Sequence, residues 1–417
     1  MSRIIIEGGH RLEGNVRVHG AKNAVLPILA ATVINSGRNV IKDCPSLKDV
    51  KSSIEILKCL GCEVEWQDST ITVNSDGELT HHIPENLMRE MRSSIMFLGA
   101  IVARCRKATI SMPGGCELGP RPIDLHLKAF RQLGIKVNES HGYINCEVDE
   151  IKCADIHLDF PSVGATENIM LVTALSDGIT TINNAAKEPE IVDLQNYLNK
   201  MGAKISGAGT AVITIDGVRK LHDVEHRVIP DRIVASSYLA AAAITGGHIT
   251  LTNTAPAHLQ PIISVLRDCG FEISHTADSV TIKSEGRALP IDYIRTLPHP
   301  GFPTDAQSPI MSLLSVANGT SIFAENMFEN RYKHVAELNR MGADIKVDGR
   351  IAVVRGVKRL SGAKITAADL RGAAALVIAG LNAEGVTEVS GLCHLDRGYE
   401  SFEGGLQSLG ANIKRVK

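Results

Sequence analysis

The sequence predicts an α/β protein made of six repeats of about 70 residues, grouped as two domains of three repeats. The main observation is a short phrase that occurs six times: a large apolar residue, then Leu, Met or Cys before a glycine, and Val or Ile three residues after it. The glycines of the phrase are Gly61, Gly134, Gly202, Gly270, Gly342 and Gly410, and they lie 73, 68, 68, 72 and 68 residues apart. A fixed period indicates a repeat architecture, and 417 residues exceed what one ordinary core holds.

The residues around each glycine predict the order of the elements. An amphipathic segment of about 11 residues precedes the glycine, and a β-type triplet follows it. Because glycine adopts the left-handed conformation that ends a helix, each phrase predicts a helix, a glycine stop and a strand. A second strand, a short third strand, a helix rich in Ala, Ser and Leu, and a glycine-led fourth strand complete the repeat. The fourth strands begin near Gly178, Gly247, Gly319 and Gly385, and residues 37–41 and 107–110 match this pattern less well.

The two ends of the chain complement each other. The sixth phrase lies almost at the C-terminus, so its repeat lacks closing strands, whereas residues 4–18 contain strand-like sequence before the first phrase. We therefore expect the N-terminal segment to complete the sixth repeat in space. The resulting domains are residues 22–229 and residues 1–21 plus 230–417, with two chain crossings as the hinge. An open solenoid is the weaker alternative, since solenoid repeats usually have about 20–45 residues.

The composition excludes several classes of function. Hydrophobic residues make up 44% and charged residues 22% of the chain, and the formal net charge is −2. These values are typical of a soluble globular protein, whereas nucleic-acid-binding proteins usually carry a basic excess. No apolar run approaches the roughly 18 residues that cross a bilayer, and the N-terminus lacks the form of a signal peptide. We expect a cytoplasmic monomer or weak oligomer without nucleic-acid or membrane partners.

The nine cysteines do not indicate a disulfide framework or a metal site. Cys59 and Cys62 have the spacing of a metal or redox pair, but no second pair accompanies them. The repeat places Cys62 and Cys269 in slots that other copies fill with apolar residues. We therefore expect both to be core residues.

Cations recur at the predicted helix starts. Lys22, Arg92 and Arg371 begin the helix before the glycine-led strand, where a positive charge opposes the helix dipole. The starts of the other helices carry Arg121, Arg331 and Arg397. Ser162 and Asp231 are adequately explained as N-caps, and any single arginine could be a solvated surface residue. Taken together, the cations predict a cleft in which helix N-termini converge on an anion.

One loop has no counterpart in the other repeats. Residues 113–122 contain two adjacent glycines, three prolines and Cys116. This composition is typical of a surface loop. A nearby arginine and a helix start would lower the pKa of the Cys116 thiol, which favours a reactive thiol beside an anionic substrate.

These motifs resemble the UDP-N-acetylglucosamine 1-carboxyvinyltransferases, a branch of the enolpyruvyl transferase family. The resemblance covers the whole chain, and its motifs are residues 20–27, 91–95, 113–126, 162–166, 303–305 and 369–371. It implies an inside-out α/β barrel fold of two pseudo-three-fold domains with the active site between them. It also implies transfer of the enolpyruvyl group of phosphoenolpyruvate to the 3′-hydroxyl of UDP-N-acetylglucosamine, the first committed step of peptidoglycan synthesis, without a cofactor or metal.

The resemblance assigns roles to individual residues. Lys22, Arg121 and Arg397 would hold the phosphate of phosphoenolpyruvate, and Arg331 and Arg371 would serve its carboxylate and domain closure. Asp305 would be the base at the sugar hydroxyl. Cys116 would donate a proton, form a covalent phosphoenolpyruvate adduct and react with fosfomycin. The implied nucleotide-sugar site comprises Asn23, Arg92, Arg121, Pro122, Ile123, Asp124, Leu125, Ser162, Val163, Gly164, Asp305 and Met327, supported by Glu329 and Asp369.

Two departures and two rivals qualify the resemblance. Met96 and Phe160 stand where many members have Trp and Lys, and we expect them to keep the apolar packing of the site; such changes also occur in the second paralogue of some bacteria. A shikimate-pathway enolpyruvyl transferase would share the fold, but it typically has Lys-Ser where this chain has Lys22 and Asn23. A non-catalytic nucleotide-sugar sensor is the other alternative, and the presence of Asp305 and all the cations disfavours it.

Overall fold

The structure is a computed structural model that describes residues 2–113 and 123–417. The described residues form two compact lobes. Lobe 1 contains residues 20–113 and 123–229, and lobe 2 contains residues 2–19 and 230–417. Each lobe has its own hydrophobic core.

The strands of the described residues follow in chain order. They are β1 (Arg3–Glu7), β2 (Glu13–Arg17), β3 (Arg38–Lys42), β4 (Glu63–Gln67), β5 (Thr70–Asn74), β6 (His82–Ile83), β7 (Lys107–Ser111), β8 (Lys136–Ser140), β9 (Tyr143–Glu147), β10 (Asp155–His157), β11 (Ile179–Asn183), β12 (Lys204–Ser206), β13 (Val212–Asp216), β14 (Val224–Arg227), β15 (His248–Thr252), β16 (Glu272–His275), β17 (Ser279–Lys283), β18 (Ile294–Arg295), β19 (Thr320–Ala324), β20 (Asp344–Asp348), β21 (Ile351–Arg355), β22 (Lys364–Thr366), β23 (Val386–Ser390) and β24 (Asn412–Val416).

The helices of the same residues are given in the same order. They are α1 (Lys22–Ala31), α2 (Lys48–Leu60), α3 (Glu85–Glu90), α4 (Met96–Cys105), α5 (Asp124–Gln132), α6 (Val163–Thr173), α7 (Pro189–Lys200), α8 (Arg232–Thr245), α9 (Gln260–Asp268), α10 (Thr304–Leu314), α11 (Val335–Arg340), α12 (Leu370–Asn382) and α13 (Phe402–Ser408). Short 3₁₀ turns span Arg92–Ile95, Pro256–Leu259 and Leu395–Arg397. None of these helices is long and apolar enough to cross a membrane.

The six repeated glycines end helices and turns as the sequence predicts. Their φ angles are 104°, 80°, 100°, 92°, 91° and 97°, all in the left-handed region that favours glycine. At the end of α2, for example, the Gly61 N–H donates to the carbonyl of Lys58 at 3.0 Å. A strand follows each glycine, namely β4, β8, β12, β16, β20 and β24. The predicted order of helix, glycine stop and strand is therefore confirmed in all six repeats.

The six four-stranded sheets of the described chain share one pattern. In the first five repeats, the strand after the glycine forms an antiparallel hairpin with the next strand, which pairs antiparallel with the glycine-led strand. In the sixth repeat, β1 from the N-terminal segment takes the place of that next strand. A short strand pairs parallel with the glycine-led strand and forms the edge of the sheet. The orders are β14-β3-β5-β4, β6-β7-β9-β8, β10-β11-β13-β12, β2-β15-β17-β16, β18-β19-β21-β20 and β22-β23-β1-β24.

The N-terminal segment divides between two sheets. Strand β1 completes the sixth sheet, where Ile6 lies opposite Ile413 of β24, so the predicted closure of the sixth repeat is confirmed for this strand. The prediction was wrong for the rest of residues 4–18, because β2 pairs with β15 of the fourth repeat, with Val16 opposite Leu251. Alternating apolar residues specify which face of a strand is buried but do not specify which sheet it joins.

Each lobe has helices on the inside and small sheets outside. In lobe 2, α8, α10 and α12 pack against one another, and every residue from Arg371 to Leu381 is buried. In lobe 1, α4 packs against both α1 and α6, and a Cβ added to Gly99 of α4 would lie 2.5 Å from Asn168 Oδ1 of α6. A helix that is apolar on all sides is an interior helix, which explains the richness in Ala and Leu. The sheets do not join into one closed barrel within the described residues.

Candidate active site

The clearest cluster of charges lies in lobe 2 around Asp305, in the first turn of α10. Arg331 Nη2 donates to Asp305 Oδ1 at 2.8 Å, and Arg371 Nη2 donates to Asp305 Oδ2 at 3.3 Å. The two arginine residues are only 1% and 2% exposed. Buried guanidinium groups need anionic partners, and here one carboxylate serves both. The structure therefore brings together three residues that the sequence predicted for one site.

Arg371 is held with spare hydrogen-bonding capacity. Its Nε and Nη1 atoms are buried and have no hydrogen-bond partner among the described residues, and its guanidinium lies 5.4 Å from the centre of the Tyr399 ring. Burial alone would lower the pKa of Arg371, but Tyr399, Asp305 and Asp231 raise it above its ordinary value. The group is thus a fixed cation with two N–H directions available for an oxygen acceptor.

Asp369 and Asp231 begin helices. Asp369 Oδ1 accepts hydrogen bonds from the backbone N–H groups of Arg371 and Gly372 at 3.0 and 2.9 Å. Asp231 Oδ1 caps α8 in the same way, at 2.9 and 3.0 Å. The N-cap interpretation of Asp231 is confirmed, and Asp369 is the N-cap of α12.

His334 and Tyr399 surround this cluster, although the sequence did not single them out. Both His334 ring nitrogens are buried without a hydrogen-bond partner in the described part of the chain. Burial lowers the pKa of His334 to about 4, in spite of the opposing effect of Asp369. Tyr399 shares a 2.7 Å hydrogen bond with Ser237. No local sequence pattern marks either residue, because their neighbours come from other repeats.

Lys22 begins α1 in lobe 1 and has a carboxylate partner. Its Nζ atom lies 2.8 Å from Oδ2 of Asp49, which lies in the first turn of α2, and both residues are buried. The sequence argument treated Lys22 as one of several unfavourable charges that a bound anion explains better than an N-cap does. Asp49 supplies part of that balance within the chain. An acidic residue in a first helical turn is so common that it gave no signal of this role.

A second group in lobe 1 lies at the start of α6. Ser162 Oγ accepts from the Ala165 N–H at 3.3 Å, so the predicted N-cap is confirmed. A Cβ added to Gly164 would lie 3.1 Å from His126 Cε1 and 3.8 Å from Met96 Sδ. Arg92 begins the 3₁₀ turn before α4 and acts electrostatically on His126. The structure thus gathers motifs that are separated by about 70 residues in the sequence.

The two departures from the family pattern differ in their surroundings. Met96 is buried against lobe 1, as expected. Phe160 is 45% exposed, so the expectation that it keeps apolar packing was wrong. It lies in the irregular segment before α6.

Several other predicted residues lie in less regular positions. Arg397 ends the 3₁₀ turn Leu395–Arg397, whereas α13 begins only at Phe402, and Arg331 precedes α11 by four residues. The sequence was wrong to place both at helix starts, because turns intervene. The Met327 N–H donates to buried Glu325 at 2.8 Å. Asn23 lies in the first turn of α1, and Val163 begins α6. Ile123, Asp124 and Leu125 form the start of α5.

Three predicted residues lie outside the described part of the chain: Cys116, Arg121 and Pro122. Their assignments stay predictions. The core slots of Cys62 and Cys269 are confirmed, because both are buried and burial raises the pKa of each thiol to about 12.

Arg415 of β24 fixes the segment that carries Arg397. Its guanidinium bonds Asp396 at 3.0 and 2.7 Å and Glu403 at 2.6 and 3.2 Å. Paired hydrogen bonds of this kind define an orientation as well as a distance. The turn at Asp396 and the helix α13 are therefore attached to the same strand.

Comparison with known proteins defines the class. The family model for EPSP synthase (3-phosphoshikimate 1-carboxyvinyltransferase) matches residues 6–406. The enolpyruvyl transferase NikO from Streptomyces tendae superposes with a TM-score of 0.90 at 26% identity, over 100% of this chain and 99% of that one. EPSP synthase from Acinetobacter baumannii shares the fold, with a TM-score of 0.77 at 17% identity over all of both chains. The chain therefore has the fold of the enolpyruvyl transferases and belongs to that class.

Sequence relatives narrow this class. UDP-N-acetylglucosamine 1-carboxyvinyltransferase 2 of Caldanaerobacter subterraneus subsp. tengcongensis is 57% identical over 416 residues, covering 100% of both chains. Carboxydothermus hydrogenoformans has two such relatives. Its UDP-N-acetylglucosamine 1-carboxyvinyltransferase 1 is 50% identical to this chain and its UDP-N-acetylglucosamine 1-carboxyvinyltransferase 2 is 48% identical, over at least 99% of each chain. The chain belongs to the UDP-N-acetylglucosamine 1-carboxyvinyltransferase family, which confirms the resemblance found in the sequence.

Proposed function

We propose that the chain transfers the enolpyruvyl group of phosphoenolpyruvate to the 3′-hydroxyl of UDP-N-acetylglucosamine and releases phosphate. The observation that carries this proposal is the Asp305 carboxylate between two buried arginines, one of which has N–H donors without a hydrogen-bond partner among the described residues. Such a group combines a proton acceptor with a cationic site for a carboxylate. The names of the relatives that are 48–57% identical support the same substrate.

The reaction proceeds by addition and then elimination. The methylene carbon of phosphoenolpyruvate gains a proton, the sugar 3′-oxygen adds to C2, and Asp305 accepts the hydroxyl proton. The tetrahedral ketal then loses a proton from the new methyl group as the bond from C2 to phosphate breaks. Lys22, Arg121 and Arg397 bind the phosphate and stabilise its charge as it leaves.

The arginines around Asp305 have a defined part in this sequence. Two guanidinium groups favour the ionised carboxylate but also weaken it as a base, since they stabilise its charge. The N–H groups on Arg371 Nε and Nη1 can donate hydrogen bonds to the carboxylate of phosphoenolpyruvate. When the substrate is bound, its carboxylate competes with Asp305 for the arginines. The hydrogen bonds to Asp305 then weaken, and Asp305 becomes a stronger base.

The remaining predicted residues complete the two substrate sites. Cys116 donates the proton to the methylene carbon, and its sulfur forms the covalent adduct when it adds to C2. The nucleotide sugar is bound by Asn23, Arg92, Arg121, Pro122, Ile123, Asp124, Leu125, Ser162, Val163, Gly164, Asp305 and Met327, with Asp369 in support. The enzyme acts in the cytoplasm, where its product enters peptidoglycan synthesis and so serves cell-wall growth, cell shape and division.

The decisive experiment measures phosphate release from phosphoenolpyruvate with either UDP-N-acetylglucosamine or shikimate 3-phosphate as acceptor. Release with the first acceptor alone is expected. Release with the second alone would assign the chain to the shikimate-type activity, and nucleotide-sugar binding without release would indicate a sensor. Asp305→Asn is the matched control, and we expect it to reduce kcat by at least about 100-fold while nucleotide-sugar binding changes little.

Fosfomycin tests the thiol separately. Mass spectrometry should find one covalent fosfomycin adduct on the parent chain and none on Cys116→Ser. Cys393 is an exposed thiol in the described part of the chain, so Cys393→Ser is the matched control and should label fully. Labelling that survives in Cys116→Ser would refute the assignment of Cys116.

A further inference from the structure

Helices α1 and α8 both begin just after the chain passes from one lobe to the other, but their first turns are held differently. The N-cap of α8 is Asp231, whose carboxylate caps its own helix, whereas the N-cap of α1 is Ala21, which has no side-chain cap. The Ala21 N–H donates instead to the carbonyl of Ile229 at 2.7 Å. Lys22, the first residue of α1, is therefore attached to Ile229 through the backbone.

A buried carboxylate on α7 holds Ile229 in turn. Asp193 Oδ2 accepts from the Ile229 N–H at 3.3 Å, and Asp193 Oδ1 lies 2.9 Å from Nε2 of His226 on β14. Asp193 and His226 are only 2% and 4% exposed. Because each carboxylate oxygen serves one donor, Asp193 fixes Ile229 relative to both α7 and β14.

The His226 ring makes one polar contact among the described residues. An ionised carboxylate can only accept, so the Nε2 atom carries the proton, and Nδ1 is buried without a hydrogen-bond partner in the same part of the chain. The Tyr197 ring lies edge to face with the imidazole at a centroid distance of 5.6 Å. Packing and Asp193 therefore define the orientation of the ring.

We propose that Asp193 and His226 are positioning residues for Lys22. They act through the backbone of Ile229 and Ala21, and the whole route lies within lobe 1, where α7 packs on α1. The inference rests on the proposed function, in which Lys22 binds the phosphate of phosphoenolpyruvate.

Lys22 is thereby fixed at both of its ends. Its Nζ atom lies 2.8 Å from Asp49, which orients the ammonium group. Asp193 orients the backbone from which the same side chain extends. A binding group has to be held within about 0.5 Å of its productive place, so a loosened helix start weakens phosphate binding even when Asp49 is intact.

Steady-state kinetics distinguish positioning from a merely structural role. Asp193→Asn loses one of its two acceptors, and His226→Phe keeps a ring but loses the donor. We expect each to raise the KM for phosphoenolpyruvate by about 3- to 10-fold. The change in kcat should be smaller, because the phosphate is already charged in the bound substrate. His226→Gln retains an N–H donor and should recover most of the loss. Asp216→Asn breaks an exposed ion pair in the same lobe and should match the parent chain.

A Lys22→Arg background shows whether the effect passes through Lys22. The cation is already displaced there, so adding Asp193→Asn should raise the KM further by less than about 2-fold. A full additional effect in this background would overturn the proposal, and so would an unchanged KM in both Asp193→Asn and His226→Phe. Should Asp193→Asn fail to fold, His226→Phe and His226→Gln carry the same comparison.

Amide hydrogen exchange tests the connection without turnover. The Ala21 N–H should exchange about 10-fold faster in His226→Phe than in the parent chain, whereas the N–H of Ile28 in the middle of α1 should keep its rate. No increase at Ala21, or an equal increase at Ile28, would refute the inference. The expected exchange pattern in a chain that releases no phosphate from phosphoenolpyruvate would instead refute the proposed function alone.

Discussion

Gly342 allows the conformational role of the repeated glycine to be measured in isolation. It has a φ of 91°, and a Cβ added there would meet no atom within 4 Å. In Gly342→Ala, the left-handed conformation costs about 1–2 kcal/mol. Alanine also restricts the unfolded chain, which offsets roughly 0.4–1 kcal/mol of this cost. The net loss in the free energy of unfolding should therefore be about 1 kcal/mol, without any steric contribution.

A series at this one position is the appropriate assay. Urea unfolding followed by circular dichroism, with calorimetry beside it, should rank stability as Gly, then Asn, then Ala, then Val. Asparagine tolerates the left-handed region and a β-branched residue does not. A change of 1 kcal/mol lowers Tm by about 2–4 °C in a lobe of this size. Gly77→Ala is the control, since its added Cβ also meets nothing and its φ is ordinary. An unchanged Gly342→Ala, or a comparable loss in Gly77→Ala, would refute the reasoning.

Three further predictions concern stability, positioning and pH. Cys62→Ala should keep full activity and lose about 1 kcal/mol of stability, as expected for a core residue; a large loss of turnover would contradict its core assignment. Arg415→Met should raise the KM for phosphoenolpyruvate several-fold and change kcat less, and Arg415→Lys should recover part of the loss. The surface variant Arg355→Met is the control and should match the parent chain. Equal kinetics for the two Met variants would exclude a role of Arg415 in positioning the segment that carries Arg397. Because the folded-state pKa of His126 is lowered to about 4, its contribution to stability is complete above pH 6.5 and is lost as the pH falls towards 4. The free energy of unfolding, measured with urea, should therefore fall between pH 7 and pH 4 by up to about 3 kcal/mol less in His126→Gln than in the parent chain. The same fall in both proteins would contradict the lowered pKa of His126.

The repeat made much of the scaffold predictable. A glycine at a fixed period encodes a helix end locally, because only its own backbone conformation is required. The same alignment identified the slots of Cys62 and Cys269 as apolar, and the buried thiols agree with it. Local chemistry was also sufficient for the caps at Ser162 and Asp231.

Partners across repeats were not predictable. Lys22 pairs with Asp49 of the following helix, and Arg371 pairs with Asp305, which is 66 residues away. Neither carboxylate differs in its local sequence from an ordinary first-turn acidic residue. The destination of β2 failed for the same reason, since alternation specifies a buried face but not a neighbouring strand. Pairing is a property of the packed lobe rather than of any segment.

The inner helices of lobe 2 differ in how the aspartate at the start of each helix is used. All three begin with an aspartate at or near the first turn, in α8, α10 and α12. Asp231 and Asp369 use a carboxylate oxygen to cap the backbone of their own helix. Asp305 makes no such cap, because Pro303 occupies the N-cap position of α10 and the carboxylate lies two residues later, against Arg331 and Arg371. A carboxylate that stabilises its own helix is committed to the fold. The hydrogen bonds of Asp305 to Arg331 and Arg371 join it to other side chains rather than to the backbone of α10. Under the proposed function, a substrate carboxylate can therefore compete for these two arginines while the helix remains intact.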